Sequence, residues 1–116
     1  MGPFEVMRDA LRSGGVHFEH LDAAQLVKHT FGLVTQGRKL EKAPILYYLY
    51  AEPAERAGKP IPAATLERHR AEIADFASRV RGAEVRFATC SYRDWLKQFT
   101  GVAASHAAEV ERHFAP

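Results

Sequence analysis

Cysteine is nearly absent from this chain, which limits how the fold can be held together. The 116 residues include one cysteine, Cys90, so no disulfide can form within the chain. A chain without disulfides is compatible with a reducing compartment, and we expect a cytoplasmic protein. Glycine-rich phosphate loops are also missing, since the sequence contains neither GxxxxGK[ST] nor GxGxxG. Nucleotide binding of those two kinds is therefore not predicted.

Long apolar runs are missing as well. The longest strongly apolar stretch, residues 43–51, is far too short to cross a bilayer. The opening residues MGPFEVMRD contain acids and no apolar core, so they predict no signal peptide. We therefore expect no membrane partner.

A large excess of one charge sign is also absent. Sixteen basic and 14 acidic residues leave a net charge of +2, which by itself does not indicate nucleic-acid binding. With 47% hydrophobic and 26% charged residues, the chain can bury a core. Its length predicts a single domain, 1–116. Within it we distinguish an N-terminal helix and short extended segment (1–20), a core (21–100) and a C-terminal helix (101–116).

The order of predicted elements indicates the fold class. Asp22 caps a helix that ends at Gly37, residues 43–51 resemble a strand covered on both faces, and residues 54–62 form a loop. A helix over 63–81 and a strand over 84–90 complete a βαβ unit, whose strands should be parallel. The predicted class is α/β, with a small sheet flanked by helices. Two strands make a thin sheet, so we expect a third from the N-terminal region, a second copy or another segment.

One helix face carries the main candidate site. Gln25, Lys28 and His29 stand at i, i+3 and i+4, so their side chains share a face and can meet one ligand. A lysine beside a glutamine suits phosphate, because the ammonium supplies charge and the amide supplies directional hydrogen bonds. The alternative is that Gln25 only closes a capping box and Lys28 is solvated, and spacing alone favours this alternative.

Metal and thiol chemistry have weaker patterns. Six histidines are present, but there is no HExxH and no zinc-finger spacing, so no metal site is predicted. Cys90 has no readable Cys/His/Asp pattern, and we predict a buried structural thiol rather than a nucleophile.

Four segments carry a family resemblance: LDAAQLVKHTFGL, APILYYLYAEP, HRAEIADFASRV and VRFATCSYRDWL. In this order they resemble the C-terminal part of a bacterial branch of the PD-(D/E)XK nuclease superfamily, over residues 21–99. In that superfamily a hairpin supplies an Asp and a Glu-x-Lys that hold magnesium, and a helix with a Gln or Lys facing the site follows. The resemblance implies supporting catalytic roles for Gln25 and Lys28. It also implies nucleic-acid binding by Lys28, His29, Arg38 and Lys39.

The chain departs from that family where the metal should bind. Residues 1–20 contain no Glu-x-Lys, because Glu19 is followed by His20 and Leu21. Without paired carboxylates a magnesium ion is not held for phosphodiester cleavage. We therefore expect an incomplete restriction-endonuclease-like core, with magnesium bound only if another segment completes the site. Whether the chain is an enzyme stays open.

Two other functions remain possible. The principal alternative is a small homodimeric protein-interaction module of no enzymatic activity, whose sheet is completed by a partner. A small-molecule enzyme that uses Cys90 or the histidines ranks lowest.

Overall fold

Helices dominate the structure, a computed structural model that describes residues 2–116. They contain 57% of the residues, and the predicted mixed α/β class is confirmed. In chain order the elements are α1 (Pro3–Ser13), α2 (Ala23–Leu40), β1 (Ile45–Tyr50), β2 (Glu55–Arg56), β3 (Lys59–Pro60), α3 (Ala63–Arg79), β4 (Arg86–Ser91), α4 (Tyr92–Leu96) and α5 (Gly101–Phe114). No helix within the described residues is both long and apolar enough to cross a membrane.

The main sheet consists of β1 and β4, which run parallel, as the βαβ pattern predicts. Next to the pair, the N–H of Arg86 donates a 3.2 Å hydrogen bond to the carbonyl of Pro44. The expected extended segment at 16–20 is wrong, since no strand forms there. Among the described residues, this sheet therefore keeps two strands.

A second, two-stranded sheet occupies residues that were predicted to be a loop. β2 and β3 pair antiparallel, with Glu55 opposite Pro60 and Arg56 opposite Lys59. Ala57 (φ 53°) and Gly58 (φ 78°) form the connection. Positive φ at both central residues is typical of the tight turn that matches the twist of a hairpin. The loop prediction missed this hairpin because Ala57 is an unusual residue at such a position.

The helix that carries the candidate site begins as predicted and ends later. The Asp22 carboxylate accepts a 3.2 Å hydrogen bond from the N–H of Gln25, which caps α2. The predicted end at Gly37 is wrong, because the helix continues to Leu40 and the left-handed residue is Glu41 (φ 55°). Gly37 is buried inside the helix and has a different role, described in the Discussion.

The chain divides into two compact units, which we describe separately. The first contains Met1–Leu46 and Glu67–Ala88, of which Met1 lies outside the described residues, and the second contains Tyr47–Leu66 and Thr89–Pro116. The prediction of one domain with three segments is not tested by this division.

The core of the first unit is built around Phe76 on α3, which is fully buried. Its ring makes edge-on contacts with the rings of Phe4, Phe18 and Phe87, at centroid distances of 6.0, 6.1 and 5.0 Å. Edge-on packing is a favourable arrangement for aromatic rings. The buried face of α3, which also includes Ile73, therefore anchors the core of this unit.

The segment before α2 is held by a carboxylate of α3. Glu72 accepts hydrogen bonds from the N–H groups of Glu19 and His20, the latter at 2.7 Å. Arg68 and Glu72 are four residues apart on α3, a spacing that suits an ion pair, but the two side chains do not form one. Arg68 pairs instead with the Glu19 side chain at 2.8 Å. Backbone donors at residues 19 and 20 are thereby used by a side chain, which also explains why no strand forms there.

The second unit contains α4, α5 and the hairpin. The Ser91 hydroxyl accepts a hydrogen bond from the N–H of Asp94 at 3.1 Å and thereby caps α4. The Trp95 and Phe99 rings meet edge-on, with centroids 4.8 Å apart. These contacts hold the aromatic side of the short helix in place.

Strand β1 is more open than its sequence predicts. The nearly continuous apolar run suggested cover on both faces, but Ile45 is 51% exposed and Tyr47 is 48% exposed. Because alternate side chains of a strand share a face, these two residues mark one open face of β1. The prediction of a doubly covered strand is wrong.

Candidate functional site

The polar face of α2 is the candidate site, and the structure exposes it. Gln25, Lys28 and His29 are all exposed, while Leu26 and Val27 between them are buried. A helix turns by about 100° per residue, so positions i, i+3 and i+4 lie within one arc of its surface. The three predicted side chains are therefore brought to one face, directly after the Asp22 cap.

Lys39 extends this face along the helix. It follows Lys28 by three turns, which places it about 16 Å further along at nearly the same angle. Within residues 2–116, neither lysine forms an ion pair. The sequence of α2 contains no Asp or Glu, so no carboxylate of the helix itself neutralises these cations. We name Gln25, Lys28, His29 and Lys39 the α2 polar face.

Arg38 belongs to a different side of the helix. It lies nearly opposite His29 around the helix axis, at nine residues' separation. Its guanidinium donates two hydrogen bonds to Glu84, at 3.0 Å from Nε and 2.8 Å from Nη2. The hydrogen bond and charge of Glu84 raise the pKa of Arg38, and the Arg38 hydrogen bond lowers the pKa of Glu84. A phosphate would have to compete with this carboxylate.

Metal ligands do not converge in the part of the chain that is described. Among residues 2–116, no group of three or more His, Cys, Asp or Glu side chains is placed to hold an ion. The site implied by the resemblance would need carboxylates from another segment. What this chain offers beside such a site is the amide of Gln25 and the ammonium of Lys28.

The strands β1 and β4 bring a different set of side chains together. Cys90 is half-buried rather than buried as predicted, because β1 leaves this side of the strand pair partly open. Interaction with the Cys90 thiol, together with burial, raises the pKa of Tyr47, while interaction with Gln98 opposes this rise. Sequence reasoning missed Tyr47, since nothing local in the sequence links it to Cys90.

An apolar groove in the second unit was also missed. It has a volume of about 460 Å³ and lies along α4 and α5. Its lining is mostly apolar and includes Trp95, Phe99, Val110 and Phe114, with His106 among the other lining residues. The helical spacing of the apolar residues was the available signal, but spacing does not specify which of them stay exposed. Phe114 is in fact 75% exposed.

Comparisons with protein-family models, with curated proteins and with solved structures found no match for this chain.

Proposed function

We propose that this chain is a nuclease-like domain that resembles the C-terminal half of a PD-(D/E)XK nuclease and is catalytically incomplete by itself. In this proposal the α2 polar face contacts a nucleic-acid backbone in the cytoplasm. Magnesium enters only when another segment supplies the missing Asp and Glu-x-Lys. Lys28 supplies charge to a phosphate, and Gln25 orients it with its amide.

The observation that carries this proposal is the row of cations on α2. Lys28 and Lys39 are exposed on one face of a helix that has no acidic residue. A nucleic-acid backbone presents phosphates at regular intervals, and lysines that neutralise them release condensed counterions. Such contacts position the nucleic acid without reading its sequence. The proposed binding is therefore weak, salt-dependent and independent of sequence.

The binding test uses fluorescence anisotropy with labelled duplex DNA and single-stranded RNA across a salt series. We expect Lys28→Ala and Lys39→Ala each to weaken binding by about threefold to tenfold and to lower the salt slope by roughly one. Lys59→Ala, on the exposed hairpin, removes the same charge elsewhere and should leave the affinity unchanged. Equal losses in all three variants, or none, would contradict a specific role for α2.

Arg38 has its own test. Glu84→Gln removes the carboxylate that now holds the guanidinium, so Arg38 becomes available to a phosphate. If Arg38 belongs to the interface, Glu84→Gln should bind nucleic acid more tightly than the unchanged chain. The gain in affinity should exceed any change in affinity that Lys59→Ala produces.

A cleavage assay tests the catalytic part of the proposal. Magnesium-dependent cleavage by the isolated chain that persists in Lys28→Ala would contradict both the proposed catalytic incompleteness and the role of the α2 polar face.

A second candidate function is a homodimeric interaction module without enzymatic activity. The exposed side chains of Ile45 and Tyr47 on β1 and the open groove beside α5 favour it. Apolar surface of this kind is commonly covered in an assembly. Light scattering over a concentration series tests it, and a monomer at every concentration would remove it.

A further inference from the structure

A hollow between α1 and α2 in the first unit combines apolar side chains with cations. Its volume is about 280 Å³. Residues at helical spacing on each helix line it, among them Arg8, Leu11 and Arg12 on α1 and Val27, Lys28 and Phe31 on α2. Of the described residues that line it, none is Asp or Glu. A ligand in this hollow would therefore meet apolar surface and positive charge together.

The exposure of each side chain separates a floor from a rim. Val27 is buried, and Leu11 and Phe31 are half-buried, so these three form an apolar floor. Arg12 and Lys28 are exposed and form the rim. In the part of the chain that the structure describes, neither of these two cations forms an ion pair. Both can therefore contact an anion at the mouth of the hollow.

Arg8 has a different position from the two exposed cations. Its guanidinium carbon lies 5.6 Å from the centre of the Phe31 ring, a distance at which an aromatic face attracts a cation. The Asp9 carboxylate accepts a 3.0 Å hydrogen bond from Nε of Arg8 and neutralises part of its charge. Arg8 is thus held beside Phe31, so that two planar groups line the hollow.

We propose that this α1–α2 hollow takes one unpaired base of a single-stranded nucleic acid. The base packs against Phe31 and Arg8, while Arg12 and Lys28 contact the flanking phosphates. The inference rests on the proposed function and names its substrate class, since Lys28 belongs both to the α2 polar face and to the rim of the hollow. Unpaired bases stack on aromatic rings and on guanidinium planes, whereas a duplex keeps its bases stacked inside.

The size of the hollow agrees with a single base. A volume of about 280 Å³ lies just below the range of roughly 300–1,000 Å³ in which pockets enclose a whole drug-sized ligand. The backbone of a duplex would contact the rim and leave the apolar floor unfilled. A planar base with phosphates on either side uses both the floor and the rim, so the combination favours an unpaired nucleotide.

Fluorescence anisotropy of the full chain with two labelled probes tests the base contact. One probe is an oligothymidylate, and the other is an abasic oligonucleotide of the same length, which has the same phosphates and no bases. We expect tighter binding of the oligothymidylate by at least about fivefold, because stacking of a base on an aromatic side chain adds that much affinity. Equal affinity for the two probes would overturn the inference.

Replacement of the ring locates the base contact. Phe31→Leu should remove most of the preference for the oligothymidylate and leave the affinity for the abasic probe unchanged. Phe114→Leu is the matched control, because Phe114 is 75% exposed and lies outside the hollow, and it should change neither affinity. Full retention of the preference in Phe31→Leu would place the base elsewhere and overturn the assignment.

An exposed cation gives a second variant that does not disturb the packing of the helices. Arg12→Ala should weaken binding of both probes by about threefold and lower the salt slope by about 0.7, the value for one phosphate contact of a single strand. An unchanged affinity and slope in Arg12→Ala would show that the rim does not contact phosphate, which would also overturn the assignment.

The outcomes separate failure of this inference from failure of the proposed function. If both probes bind equally and Lys28→Ala weakens both, the phosphate contact of the α2 polar face stands and the base contact is wrong. If neither probe binds at low salt, both are wrong. If neither probe binds but vesicles of anionic phospholipid do, and Arg12→Ala weakens that binding, the hollow takes a lipid and the inference is overturned.

Discussion

Two glycines of α2 show how a single residue can have opposite roles in one helix. A Cβ added to Gly37 would lie 2.9 Å from the carbonyl oxygen of Lys42 and 3.0 Å from the Pro44 ring. The missing side chain lets the chain turn back against the helix, where the N–H of Lys42 donates a 2.9 Å hydrogen bond to the Gly37 carbonyl. A Cβ at Gly32 would meet no atom within 4 Å.

We predict opposite signs for the two alanine substitutions. Gly32→Ala should raise the free energy of unfolding by about 0.5–1 kcal/mol, because alanine loses less backbone entropy in a helix. Gly37→Ala should lower it by about 1–3 kcal/mol, since the clash with a backbone carbonyl outweighs the same gain. Urea denaturation followed by circular dichroism measures both. Stabilisation by Gly37→Ala would show that the turn after α2 yields at little cost.

At the scale of elements, one side chain of α3 secures the entry to α2. Glu72 accepts hydrogen bonds from the N–H groups of residues 19 and 20, and the N–H of Leu21 also contributes. Burial tends to raise the pKa of Glu72, but the three N–H groups together lower it below its ordinary value. Hydrogen bonds to the charged form explain the direction of the shift.

This lowered pKa predicts how stability depends on acid. A carboxyl group whose pKa falls on folding contributes stability above its unfolded pKa of about 4.5 and loses it as pH falls through the lower folded value. We expect Glu72→Gln to cost about 1 kcal/mol at neutral pH and less in acid. Unfolding free energies measured from pH 7 downward should therefore converge for the two proteins. A constant gap across the range would mean that the charge of Glu72 does not matter.

A matched control is available on the same helix. Asp75 pairs with Arg79 at 2.8 Å on an exposed surface, where ion pairs contribute little. Asp75→Asn should therefore change stability by less than Glu72→Gln at neutral pH. Equal losses of unfolding free energy in the two variants would mean that the effect comes from negative charge on α3 in general and not from the hydrogen bonds of Glu72 to residues 19–21.

At the scale of the whole molecule, aromatic side chains divide into those that hold a core and those that remain available. Phe76 is fully buried within three edge-on ring contacts, whereas Phe114 lies largely in solvent. Similar residues at helical spacing in the sequence thus have different energetic roles.

We predict that Phe76→Ala lowers the free energy of unfolding of the first unit by about 3–5 kcal/mol, because it removes buried surface and leaves a cavity. That loss is a large fraction of the stability of a typical small domain. Phe76→Leu, which leaves a smaller cavity, should cost less. Phe114→Ala, measured at concentrations where the chain is monomeric, should cost under about 1 kcal/mol. A comparable loss at both positions would contradict the exposure of Phe114.

Local patterns in the sequence were enough to predict the features that depend on neighbours along the chain. The cap at Asp22 and the exposure of Gln25, Lys28 and His29 follow from capping chemistry and helical periodicity. The candidate site on α2 could be recognised for this reason, since a helix of period 3.6 fixes which residues share its faces. The parallel pairing of β1 with β4 joins distant residues, but the strand–helix–strand order of the chain was enough to predict it.

Only the tertiary structure decided the other features that join distant residues. The hydrogen bonds between Arg38 and Glu84, the interaction of Tyr47 with Cys90 and the bonds from residues 19 and 20 to Glu72 each depend on where another segment returns. The sequence by itself determined the helices, the parallel strands and the face that presents the cations. Which apolar side chains stay in solvent was decided by packing, because burial depends on the neighbours that the fold supplies and periodicity cannot specify them.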